Sequence, residues 1–155
     1  MSDVVVIVPY RDEYRADFDR LNRAWVSAHL VVEPGDDAEL SDPHGYFVAG
    51  GGQVLFLLTA SGQVAGTVAL ANHGATWELA KMTVDAAYRG NGYGDRLVIA
   101  AIEYAQNAGA TAIELVSNTK LKTAIRLYRK HGFGEIPLEP GETYARANIR
   151  MRRGL

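Results

Sequence analysis

The sequence predicts a mixed α/β single domain, with a mostly antiparallel sheet of about seven strands flanked by four helices. Three observations carry this expectation. The 155 residues suit one domain, and no linker or internal repeat divides them. Three consecutive segments in the first half read as short strands separated by turn residues, the pattern of an antiparallel meander. After a glycine-rich loop the periodicity becomes helix, strand, helix, strand, which calls for a crossover connection.

Residues 4–8, Val-Val-Val-Ile-Val, read as a short buried strand closed by Pro9. A helix over 13–29 follows, because Tyr14, Phe18, Leu21, Trp25 and Ala28 recur at spacings of three and four, with Asp12 placed to cap it. The acidic stretch 33–43 breaks at Pro34-Gly35 and Asp42-Pro43 and reads as a short helix between loops. Gly50-Gly51-Gly52 is a turn. Strands over 54–60 and 63–71 flank a two-residue hairpin turn at Ser61-Gly62. Asn72-His73-Gly74 turns the chain again, and 76–84 is the third strand of the meander. A helix over 95–108 buries Leu97, Val98, Ala101, Tyr104, Ala105 and Ala108, and Gly109 stops it. Then come a strand over 112–116, a helix over 120–131 stopped by Gly132, a strand over 133–137 and a last strand within 143–151.

Composition narrows the function. A net charge of −2 gives no global basic field for nucleic acid or an anionic membrane. Arg146, Arg150, Arg152 and Arg153 cluster near the C-terminus and read as a solvated strand face. With no cysteine, a disulfide scaffold, a thiolate metal site and an acyl-cysteine intermediate are excluded. The apolar run over 4–8 is too short for a signal peptide or a membrane span, so a cytoplasmic protein is the expectation. His29, His44, His73 and His131 sit at separate turns or helix ends without metal-ligand spacing, so no metal site is expected.

The chemistry concentrates in Arg89-Gly90-Asn91-Gly92-Tyr93-Gly94, between a strand and a helix. Closely spaced glycines allow positive φ and close backbone approach, and the following helix presents unpaired N–H groups at the positive end of its dipole. Together they suit phosphate oxygens. A Walker loop fails, because Asp95-Arg96 follows Gly94 where Lys-Ser/Thr is needed. A dinucleotide fingerprint fails as well, since Leu97 or Asp95 stands where its third glycine belongs.

Arg89-x-x-Gly92-x-Gly94 instead resembles the pyrophosphate loop of the GNAT acetyltransferase superfamily. Val84-Asp85 and Asp95-Arg96-Leu97 resemble its flanks. Asn118 after a strand, and Ala124-x-x-Leu127-Tyr128-x-Lys130-x-Gly132-Phe133, resemble the second family signature. The resemblance implies a sheet splayed between its fourth and fifth strands, with acetyl-CoA as acetyl donor. Its phosphates would lie on Arg89, Gly90, Asn91, Gly92, Tyr93 and Gly94. Its pantetheine arm would meet the backbone of Met82, Thr83 and Val84 and the amide of Asn118. Ala124, Tyr128 and Lys130 complete the implied cofactor contacts; Arg126 and Lys130 are placed either near the adenosine phosphates or on a solvated helix face.

Tyr128 is the implied general acid toward the leaving thiol, although it also continues the apolar face of Leu121, Ala124 and Ile125. Glu78 interrupts a mainly apolar strand and is the candidate base, with a surface-facing strand residue as the plain alternative. Direct transfer to a primary amine in a ternary complex is the implied route. Trp25, Glu33, Glu78 and Tyr144, with Asp36, Asp37 and Glu39, are candidates for the acceptor side. The carboxylates there suit a cationic small molecule or a protein lysine, and a solvated acidic loop accounts for them equally well. A CoA-binding module without transfer and a non-enzymatic interaction domain stay open beside this. A homodimer through the C-terminal strand or the sheet edge is the assembly that the resemblance allows.

Overall fold

The computed structural model describes residues 4–29, 34–139 and 147–155. Its strands are β1 (Val6–Pro9), β2 (Gln53–Leu58), β3 (Val64–Asn72), β4 (Thr76–Val84), β5 (Ala112–Ser117), β6 (Gly134–Ile136) and β7 (Ile149–Gly154). The helices are α1 (Arg15–His29), α2 (Pro34–Ser41), α3 (Tyr93–Asn107) and α4 (Lys122–Lys130). The seven strands form one open sheet in the order β1-β2-β3-β4-β5-β7-β6. Only β4 and β5 pair parallel, joined by the crossover through α3; the α4 crossover joins β5 to β6, which β7 keeps apart. β7 inserts between β5 and β6, antiparallel to both.

The sheet separates two apolar layers. Leu55, Leu57, Val68 and Leu70 pack with Leu97, Val98 and Ala101 of α3 on one face. Val54, Phe56, Ala69 and Ala71 pack with Phe18, Leu21, Leu40 and Phe47 on the other. This is the period-two alternation of a sheet covered on both sides. Leu115 and Met151 extend the first layer under α4, where Tyr128 and Phe133 meet edge to face at 5.9 Å.

Several elements differ from the sequence expectation. β1 begins two residues later and is an edge strand: Val4 is 68% and Val6 52% exposed, so the valine run is not a buried strand. At that edge Pro9 forfeits no ladder bond of consequence. Asp12 does not cap α1, because 12–14 form a 3₁₀ turn that precedes it. The stretch after α2 continues into a π-helical turn, His44–Val48, that buries Phe47. The β2–β3 connection is longer than two residues, closing through Thr59 N–H to Gln63 O at 2.9 Å. α3 starts at Tyr93, and Ala108 is exposed while Ile102 is buried. Tyr104 lies at the margin of the layer, against Trp77. β7 runs on to Gly154, because its partner β5 offers ladder bonds along its full length. No helix among the described residues is long and apolar enough to cross a membrane.

Candidate active site

The site arises where β4 and β5 part. Their pairing covers only Thr76, Trp77 and Glu78 against Ala112, Ile113 and Glu114. Beyond Glu78 the strands diverge, and the opening holds two confluent cavities.

The larger, about 550 Å³, runs from the glycine loop along Met82, Thr83 and Val84 to Tyr128. Gly90 (φ 86°) and Gly92 (φ 75°) stand in the left-handed region, and nothing lies within 4 Å of a Cβ built on either. Open space therefore faces the loop where it feeds into α3, the geometry of an anion cradle. Tyr93 is buried in the core, so it offers this space backbone rather than phenol. Asn91 turns its amide back to Tyr88 O at 2.8 Å. Arg89, Lys120 and Lys122 line the cavity, and no carboxylate is among its described lining residues. Three cations and a glycine cradle fit the phosphates of CoA, and Ala124 adds apolar wall. Lys130 lines neither cavity; its ammonium sits 2.9 Å from Asp95.

The smaller cavity, about 140 Å³, lies toward α1 and α2. Glu39, Glu78 and Lys81 line it together with Trp25, Tyr46 and Phe47. Glu78 accepts or shares a hydrogen bond with His73 Nε2 at 3.1 Å, across the β3–β4 turn. Glu39 and Lys81 form an ion pair at 3.2 Å with both side chains almost fully buried. Asn118 also lines this cavity, and its Oδ1 accepts from Lys120 N–H at 2.9 Å. Tyr128 and Met82 line both cavities, at the boundary between them. Burial pushes the Tyr128 phenol up to about 12.

Next to Glu78 across the ladder, Glu114 is gripped by Arg150 at 2.5 Å and by Arg152. Burial pushes the Glu114 carboxyl up, but the two guanidiniums outweigh it and hold it below its ordinary range. Two of the four arginines read as a solvated face thus neutralise the carboxylate beside the candidate base. Arg153 caps the His131 carbonyl at 2.8 Å, and Arg146 lies outside the described residues.

The structure brings together Trp25, Glu78, Met82, Asn118 and Tyr128 around the opening, with the loop at one end. Glu33 and Tyr144 lie outside the described residues, as do the side chains of Asp36 and Asp37. Sequence reading missed Lys81, His73, Lys120 and Lys122. Lys120 and Lys122 follow Asn118 so closely that a strand-end cation signal was present. Lys81 and His73 carried none.

Residues 10–133 match the profile of the acetyltransferase (GNAT) family, and the chain belongs to that family. It is 32% identical over 106 residues, 63% of this chain and 56% of the other, to the N-alpha-acetyltransferase MAK3 of Arabidopsis thaliana. The matched stretches span 17%, 26% and 56% of the length of three curated relatives. A GNAT-family acetyltransferase from Staphylococcus aureus superposes with a TM-score of 0.87 at 20% identity, covering 97% of this chain and 99% of that one. The structure of yncA from Salmonella typhimurium with its cofactor acetyl-CoA superposes with a TM-score of 0.75 at 19% identity, covering 97% and 94%. At these identities the structural likeness speaks for the fold.

Proposed function

We propose that the protein transfers the acetyl group of acetyl-CoA to a primary amine by direct attack in a ternary complex. The observation that carries this is the segregation of charge across the strand opening. Arg89, Lys120 and Lys122 stand on the glycine-loop side, and on the other Glu39 and Glu78 outnumber Lys81, which pairs with Glu39, with Tyr128 between the two sides. An anionic donor and a cationic acceptor are thereby drawn to opposite ends of one cleft.

Acetyl-CoA supplies an activated acetyl thioester when bound. Arg89, Lys120, Lys122 and the N–H groups of the loop hold its phosphates. The backbone of Met82, Thr83 and Val84 faces the opening that β5 has left, so N–H groups there are free of the β5 ladder and can polarise a carbonyl. Tyr128 offers its O–H to the departing sulfur. A phenol near 12 is a weaker acid than a thiol of about 8.5, so full proton transfer from it is uphill by about 5 kcal/mol. Its role is therefore to share its proton in a hydrogen bond rather than to surrender it. Glu78 takes the proton of the attacking amine, and His73, itself exposed, connects that carboxylate to solvent.

The acceptor is a small molecule or a protein lysine carrying a cationic amine, as the carboxylates and the aromatic wall of Trp25, Tyr46 and Phe47 would select.

Calorimetric titration with acetyl-CoA tests the donor site. Micromolar binding that disappears in Gly92→Trp is expected, since the indole would occupy the open space over the loop. A folded wild type that takes up no heat with acetyl-CoA refutes the reading. An amine screen with Glu78→Gln as control then identifies the acceptor, and binding without any turnover would make the chain a CoA-binding module.

A further inference from the structure

Inward-facing residues of β4 change parity within the strand. Trp77 and Leu79 face the α3 layer, and so do Met82 and Val84, which are odd-numbered before and even-numbered after Lys81. The switch happens at Lys81, the only non-glycine described residue with positive φ (51°), and the β3–β4 register shifts opposite it, between Thr67 and Ala69. A bulge of this kind adds one residue and re-aims the next ones. Lys81 is thereby turned to the α2 face, where Glu39 meets it, both side chains less than a tenth exposed. Without the bulge, the alternation would drive the ammonium into the apolar layer beneath α3.

We propose that Glu39 and Lys81 act together as a positioning clamp for acyl transfer, tying the wall of the acceptor cavity to the backbone that faces the thioester. The inference rests on the acyl-transfer reading of the same site. A lysine disfavours left-handed backbone, and a strand that has lost its β5 neighbour beyond Glu78 has little else on that side to hold it. The ion pair supplies that hold. Because Glu39 stands on α2, movement of the acceptor wall and the aim of the N–H groups at 82–84 become one coordinate. Neither residue touches the reacting atoms in this scheme; both set where Met82, Thr83 and Val84 point.

The informative variant removes both charges of the pair together. Glu39→Met/Lys81→Met keeps the volume filled with apolar side chains. Hydrogen–deuterium exchange of the unliganded protein is compared between wild type, this double variant and Lys81→Arg. Exchange over residues 79–84 is expected to rise about tenfold in the double variant while 112–117 stays unchanged, with Lys81→Arg much nearer wild type. In turnover, kcat falls by about tenfold or more, whereas the acetyl-CoA Kd, to which the phosphate contacts at the other end of the cleft also contribute, changes by a smaller factor. Wild-type exchange over 79–84, or a rise spread evenly over the whole sheet, would overturn the clamp. Should the wild type bind no acetyl-CoA, the acyl-transfer reading fails, and the exchange comparison still decides whether the pair holds the bulge.

Discussion

Tyr128 has the environment that most constrains its chemistry. The residue is 7% exposed, its ring packs edge-on against Phe133, and it lines both cavities. Burial raises the folded-state pKa to about 12, above the value near 10 of the unfolded chain. As pH climbs, the unfolded chain therefore ionises first, and stability drains away between about pH 10 and 12, by about 3 kcal/mol from this group. Tyr128→Phe should flatten that alkaline slope in urea titrations, though not abolish it, since burial also raises Tyr10, Tyr14 and Tyr46. The same variant should bind acetyl-CoA as wild type does and lose about 100-fold in kcat. An unchanged kcat would return Tyr128 to the apolar face on which sequence periodicity already placed it.

At the scale of elements, the ends of two helices are joined by one carboxylate. Asp95 in the first turn of α3 meets Lys130 at 2.9 Å and His131 at 2.7 Å, both at the end of α4. Acid at a helix N-terminus and base at a C-terminus each oppose the local dipole, so one contact serves both helices. Hydrogen bonding from Lys130 first, and then from His131, holds the Asp95 carboxyl below its ordinary range. A depressed carboxylate contributes stability above its unfolded pKa, near 4, and loses it as pH falls through the folded value. Asp95→Asn should therefore lower the urea midpoint at pH 7, and the gap to wild type should close as the titration is carried toward pH 2. Lys130, read from the motif as a cofactor contact, is engaged by this pairing at the last residue of α4 and lines neither cavity.

The whole molecule places a cationic rim at one end of a cleft and two carboxylates around a single lysine at the other, in a chain whose net charge is only −2. Composition could not reveal this, because opposite charges cancel in a sum and act in space. Acetyl-CoA at a hundredfold over its Kd should stabilise the fold by about 3 kcal/mol. For a chain of 155 residues that raises Tm by about 5–10 °C. Raising salt should erode the shift, since Arg89 and the two lysines sit at a mouth open to solvent. A shift indifferent to salt would place the binding energy in the apolar walls instead.

Local signals were legible wherever one segment carries the whole message. Helix and strand periods, the turns, the glycine loop, Asn118 and the Tyr-x-Lys-x-Gly-Phe run could each be read from neighbours a few residues apart. With them came the fold class and the family. What the tertiary structure alone decided depends on register between distant strands. The end of β4–β5 pairing at Glu78, the bulge that swings Lys81 to Glu39, the meeting of His73 with Glu78 and the grip of two arginines on Glu114 all depend on such alignments. A one-residue shift reverses which face a strand residue occupies, and no local pattern encodes that shift. The chain's own letters therefore determined the fold class and the family, and the packing of separate strands decided which charges meet inside the cleft.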